Sequence, residues 1–110
     1  MNALPAPGPA DVQAALDRIV PAADPLRVVV FGSVARGEAV AGSDLDLLVV
    51  LPEGTDRRAA TVDLLVSLAD LGVPKDVVVT TPAHAARHRA SNWHVVGAAL
   101  REGRTVYERP

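Results

Sequence analysis

Val28-Val29-Val30-Phe31-Gly32-Ser33-Val34-Ala35-Arg36-Gly37, followed closely by Ser43-Asp44-Leu45-Asp46-Leu47-Leu48-Val49-Val50, is the stretch from which the rest of this chain is read. Val28 to Phe31 is an apolar run without alternation, which predicts a strand covered on both faces. Gly32 breaks it. Ser33 to Arg36 suits a helical turn that ends at Gly37. The second run is an apolar strand, Leu45 to Leu51, with an aspartate at its start and another two residues earlier. The pair of runs implies a place where a polyphosphate meets divalent metal.

The acids carry the first half of that reading. Residues i and i+2 of a strand share a face, so Asp44 and Asp46 stand side by side and repel. No lysine near in sequence neutralises them, whereas hard cations would. Two metals about 3.5–4 Å apart on shared carboxylates form the usual clamp for phosphoryl transfer. Ligands that are all oxygen favour Mg²⁺ or Mn²⁺ over zinc. The glycine carries the second half. Where a buried strand meets a helix start, a glycine lets the backbone approach a phosphate, and free N–H groups favour an anion. Ser33 adds a hydroxyl. Arg36, within one turn, reaches either a phosphate oxygen or an ion pair with Glu38 or Asp44. A third acid, Asp76, opens a later strand and completes the cluster if that strand neighbours Leu45–Leu51; otherwise it pairs with Lys75.

Outward from this centre the chain alternates helix and strand. Residues 1–8, rich in Ala and Pro, read as a disordered tail, and residues 9–110 as a single domain. Pro9 and Asp11 suit a helix start. Val12, Ala15, Leu16, Ile19 and Val20 then form one apolar stripe that Pro21 is expected to end. After Pro52 and Gly54, Thr55 or Asp56 caps a second long helix. Its core stripe reads as Val62, Leu65, Val66 and Ala69, widened by Leu64, Leu68 and Leu71, with Gly72 as its C′ residue. Lys75–Thr80 is a third strand. Thr81-Pro82 starts a short helix, Ser91 caps a last one over Asn92–Arg101, and Arg104–Tyr107 is a final strand at a sheet edge. This order predicts an α/β fold: a small mixed sheet flanked by helices.

Composition excludes several classes. The chain has 110 residues and no cysteine, so disulfides and thiolate metal sites are out. A net charge of −2 argues against direct nucleic-acid binding. No basic segment precedes an apolar run at the N-terminus, and no run approaches the roughly 18 apolar residues of a membrane span, so a cytoplasmic location is expected. Hydrophobic residues make up 49%, with one Phe, one Trp and one Tyr, so the core must come from Val, Leu and Ala. That apolar excess is met either by a buried parallel-type sheet or by a face that a partner covers in a homo- or hetero-oligomer.

Gly32-Ser33, ten residues, then Asp44-Leu45-Asp46 resembles the signature of the DNA polymerase beta-type nucleotidyltransferase superfamily. The fuller string from Phe31 to Gly37 with Ser43 to Val49 resembles its minimal nucleotidyltransferase branch. Asp76 matches the third carboxylate of that family, and Ala98 to Glu108 resembles the end of such domains; the likeness spans about residues 26–108. The resemblance implies a polymerase beta-like fold and transfer of a nucleoside monophosphate, AMP from ATP, with two Mg²⁺ ions (or Mn²⁺) on Asp44, Asp46 and Asp76. Asp76 would also help deprotonate the acceptor hydroxyl. Gly32, Ser33, Arg36 and Ser43 would hold the nucleotide. Stand-alone members of the branch are often antitoxins of HEPN-domain toxins, and some attach AMP to a tyrosine of the toxin. A short chain without a further substrate-binding domain suits an acceptor on such a partner. Two alternatives stand beside this: an antitoxin that masks its partner sterically, and an aminoglycoside-type small-molecule transferase, which the length disfavours.

Other features read more plainly. His84-Ala85-Ala86-Arg87-His88 has the i, i+4 spacing of a metal helix, but Ala85 replaces the catalytic Glu, so a solvated or interface face is expected. Trp93 and His94 are read as core or partner contacts, and Arg57-Arg58 as a solvated helix start.

Overall fold

The computed structural model describes residues 6–110. The elements are α1 (Pro9–Ala23), β1 (Arg27–Phe31), α2 (Gly32–Ala35), β2 (Leu45–Val50), α3 (Arg57–Ser67), β3 (Lys75–Thr80), α4 (Pro82–His88), α5 (Val95–Glu102) and β4 (Arg104–Glu108). The expected tail lies outside the described residues over 1–5. Of the rest, Pro7 is buried, and Gly8 N–H donates to Asp11 Oδ2 at the start of α1.

The four strands form one mixed sheet in the order β3-β2-β1-β4. β1 is antiparallel to β2 and to β4, while β2 and β3 are parallel. The sheet is therefore mixed as expected. The double burial of β1 does not come from parallel neighbours; it comes from helices on both faces. Side chains alternate across a strand. Val28 and Val30 face one core with Leu45, Leu47, Val49, Val77 and Val79, covered by α1 (Val12, Ala15, Leu16, Ile19) and α3 (Leu64, Leu68). Val29 and Leu48 face a smaller core with Val96 and Ala99 of α5, joined by Phe31, Val78 and Ala85. The second face carries the candidate site.

Four local expectations are corrected. Pro21 does not end α1: the helix runs to Ala23 and stops at Asp24, whose backbone is left-handed (φ 45°) and whose N–H returns to Val20 O at 2.9 Å. A proline in the last turn removes one hydrogen bond, and little helix remains beyond it to disrupt. α3 buries Leu64 and Leu68, while Val62, Leu65 and Val66 face outward at 56%, 39% and 71% exposure. The 64/68 pair lies on one face at i, i+4 and can meet the sheet; the 62/65/66 stripe is rotated away from it. α3 also ends at Ser67, with tight turns Ala69 N→Val66 O and Leu71 N→Leu68 O, so Gly72 is not its C′ residue. Finally, α5 begins at Val95, capped by His94, whose side chain accepts from Val96 N. Ser91 Oγ instead takes Trp93 N and His94 N in the connection before it. The caps expected from Asp56 and Thr81 are both formed.

Candidate active site

The buried run of β1 stops at Phe31 because Gly32 takes a left-handed backbone (φ +72°) that turns the chain into the single turn of α2. Phe31 is the register partner of Asp46 on β2, and Asp46 is the register partner of Asp76 on β3. Partners in register share a face of the sheet. Phe31, Asp46 and Asp76 therefore form one row across three strands, at the end of the face that α5 covers. Asp44 lies two residues before Asp46, just ahead of β2. The topology thus brings together the three acids and the glycine turn that the sequence singles out.

Contact between the two halves of the motif is direct. A Cβ built on Gly32 would lie 2.2 Å from Asp46 Oδ2 and 3.1 Å from its Cγ. Only a glycine lets this carboxylate lie against the turn. Among the described residues, none of Asp44, Asp46 and Asp76 has an ion-pair partner; Lys75, the neutralising neighbour considered for Asp76, donates to Leu71 O and Val73 O instead. Burial first, and then the charges of Asp44 and Asp76, push the Asp46 carboxyl above the usual aspartate range, while Arg36 acts weakly the other way. A partly buried acid that two like charges destabilise is one that a cation would relieve. The all-oxygen donor set suits a hard divalent ion. Among the described residues, the group of three metal-ligating side chain types gathered with ligand atoms within 4.8 Å of one another is a different one, His84, His88 and His94.

The remaining expected residues divide. Ser33 opens α2 beside Gly32 and is half-buried. The first N–H groups of a helical turn have no partner inside it and point at whatever lies before it. Arg36 Nε donates to Glu38 Oε1 at 2.8 Å, and its Nη1 to Glu102 Oε1 at 3.4 Å. Arg36 is therefore paired within its own loop and to the end of α5, not with Asp44. Ser43 Oγ accepts from Val40 N at 2.9 Å, and Ser43 N returns to Val40 O, so this side chain holds the loop ahead of Asp44. Glu102 at the site's rim was not expected; it lies 66 positions from Arg36, and no local pattern marks it. Trp93 is 96% exposed, which removes it from the core. His84 is buried, not solvated.

No curated protein matches the chain. A solved chain from a structure described as "Crystal structure of the toxin-antitoxin with AMP-PNP" superposes with a TM-score of 0.54 at 18% identity, over 90% of this chain and 72% of that one. At that identity the likeness is one of fold. The family model described as "Nucleotidyltransferase domain" matches residues 12–105, taking in α1 as well as the motif. No described helix is long and apolar enough to cross a membrane. The chain belongs to the nucleotidyltransferase domain family, whose members are transferase enzymes.

Proposed function

We propose that this chain is a minimal nucleotidyltransferase that moves AMP from ATP to a hydroxyl on a partner protein of the HEPN toxin type, and so acts as its antitoxin. The observation that carries the reading is the row Phe31–Asp46–Asp76 with Gly32 pressed against Asp46. It joins a phosphate turn to acids that have no ion-pair partner among the described residues. The likeness in fold to a chain from a toxin–antitoxin structure with AMP-PNP supports a toxin as partner and an adenine nucleotide as donor.

In this reading Asp44, Asp46 and Asp76 hold Mg²⁺, with Mn²⁺ as a substitute. Bound there, the ions supply charge neutralisation at the α-phosphate and the departing pyrophosphate. Gly32 and Ser33 offer backbone N–H groups and a hydroxyl to the triphosphate. Arg36 must exchange Glu38 or Glu102 for a phosphate oxygen to help. Ser43 acts by fixing the loop that presents Asp44. Asp76 accepts the proton of the acceptor hydroxyl as its oxygen bonds to the α-phosphorus and the bond to the β-phosphate oxygen breaks. Positioning for this in-line exchange does most of the work. Residues 9–110 serve as one catalytic unit and leave the acceptor to the partner.

Co-expression with a HEPN-type toxin as candidate partner tests the proposal. The expected result is an AMP-modified partner and a neutralised toxin, both lost in Asp44→Ala/Asp46→Ala. An unmodified partner that this variant neutralises equally well would turn the reading to steric masking.

A further inference from the structure

The chain contains three histidines, and all three meet at one place. His84 and His88 lie one turn apart on α4, and His94 caps α5. One ring nitrogen of each lies within 4.8 Å of those of the others. His88 and His94 stack with centroids 3.7 Å apart, and His84 meets His88 edge-on at 4.7 Å. This place is remote from the acids. Thr80 precedes α4 on the same sheet face as Asp76 but four residues along β3, about 13 Å away at the strand rise.

We propose that His84, His88 and His94 form a second metal site, for one divalent transition ion of the zinc class, which staples the end of α4 to the start of α5. The site has the parts a metal needs. The buried His84 ring is held from behind: its Nδ1 lies 2.7 Å from Thr80 Oγ1, which reaches Thr81 O at 3.3 Å. With the Thr80 hydroxyl hydrogen on Thr81 O, Nδ1–H donates to Thr80 and Nε2 carries the lone pair. Ligating histidines are usually fixed in this way through their second nitrogen. The joint is also built for close approach. A Cβ on Gly97 would lie 2.5 Å from His88 O and 2.4 Å from Ser91 O, so a glycine there lets α5 close on the end of α4. Arg101 Nη1 donates to Ser91 O at 2.7 Å and clamps the connection. Desolvation first, with Arg57, Arg87 and the neighbouring rings adding, lowers His84 and His88 from the ordinary histidine value.

Binding requires three rearrangements. Arg57 Nη1 now lies 3.0 Å from His84 Nε2 and must leave it. Ligating nitrogens in a tetrahedral zinc site lie about 3.4 Å apart, so nitrogens now as far as 4.8 Å apart must close to that separation and the His88–His94 stack must open. His94 Nδ1 now accepts from Val96 N. His94 ligates either through that nitrogen or through Nε2 after its proton shifts to Nδ1; in both cases Nδ1 no longer accepts and Val96 N is released to water. Three protein ligands leave the fourth position to water or to a group from outside the chain.

The inference does not depend on the transfer reaction, and its test keeps the two apart. Zn²⁺ is titrated by calorimetry into the full chain in excess Mg²⁺, with X-ray absorption at the zinc edge as a second readout. We expect one Zn²⁺ per chain with imidazole nitrogen ligands, and affinity at least tenfold weaker in His88→Ala and in His94→Ala. These two residues are partly exposed, and circular dichroism verifies that the variants are folded. Asp44→Ala/Asp46→Ala should bind Zn²⁺ as the parent does, and Arg57→Gln as tightly or more tightly, since the competitor for His84 is gone. Absence of saturable Zn²⁺ binding, binding indifferent to His88 and His94, or binding lost with the aspartates would overturn it.

Discussion

Gly32 and Asp46 touch so closely that a single added carbon on the glycine would lie 2.2 Å from the carboxylate oxygen. One feature of the backbone thus sets the position of the central acid. Gly32→Ala should cost about 1–2 kcal/mol for its left-handed backbone and should also displace Asp46. We expect transfer activity to fall by roughly a hundredfold or more, the scale of losing a group that stabilises transition-state charge. Gly54→Ala is the control: Gly54 has φ +87° but nothing within 4 Å of its Cβ position. It should lose similar stability in denaturant melts and keep its activity.

Asp46 is destabilised as a charged group by burial and by Asp44 and Asp76. Asp46→Asn keeps the shape and removes the charge. It should raise the melting temperature of the metal-free protein at neutral pH, measured in chelator, while abolishing transfer. Added Mg²⁺ should stabilise the parent and leave the variant unmoved. A variant that melts lower than the parent in chelator would show that the acids do not strain the fold.

α3 distinguishes its two apolar stripes. Leu64, 2% exposed, should cost about 2–5 kcal/mol when cut to alanine. Val66→Ala, on the 71% exposed face, should stay within about 0.5 kcal/mol. Chemical denaturation of the two variants makes the comparison, and equal costs would mean that something covers Val66 in solution.

Arg18 of α1 holds Asp70, beyond α3, with Nε–Oδ1 2.9 Å and Nη2–Oδ2 3.1 Å. That hydrogen bond, above all, keeps the Asp70 carboxyl below the usual aspartate range. A depressed folded value means its stabilising contribution is present at neutral pH and is lost as pH falls from the ordinary aspartate value through the depressed one. The pair is exposed, so the effect on stability is small. The NMR titration of Asp70 should have a low midpoint that rises toward the ordinary value in Arg18→Ala.

The strands, the glycine turn and the acid row were legible because each rests on a local rule. A run of apolar residues marks β1, and glycine before a helical turn marks its end. Period two puts Asp44 and Asp46 together. Asp76 needed one further condition, that β3 neighbour β2, and the parallel register Asp46–Asp76 meets it. The buried face of α3 was not legible, because apolar side chains wrap most of Val62–Leu71, leaving only the narrow Asp63/Ser67/Asp70 face polar, and only the sheet decides which apolar face it takes. The histidine cluster was half legible. The spacing of His84 and His88 is local, but His94 joins them through the α4–α5 connection, where Gly97 and Arg101 act over distances that no periodicity encodes. The pairing of Arg36 with Glu102 is hidden for the same reason.

The most direct test of the account is a label-transfer experiment. The chain, its partner and Mg²⁺ are incubated with ATP labelled either at the α- or at the γ-phosphate. The α-label should move to the acceptor while the γ-label leaves as pyrophosphate, and both events should stop with chelator or in Asp44→Ala/Asp46→Ala. Transfer of γ-label, or α-label transfer that survives loss of both aspartates, would contradict it.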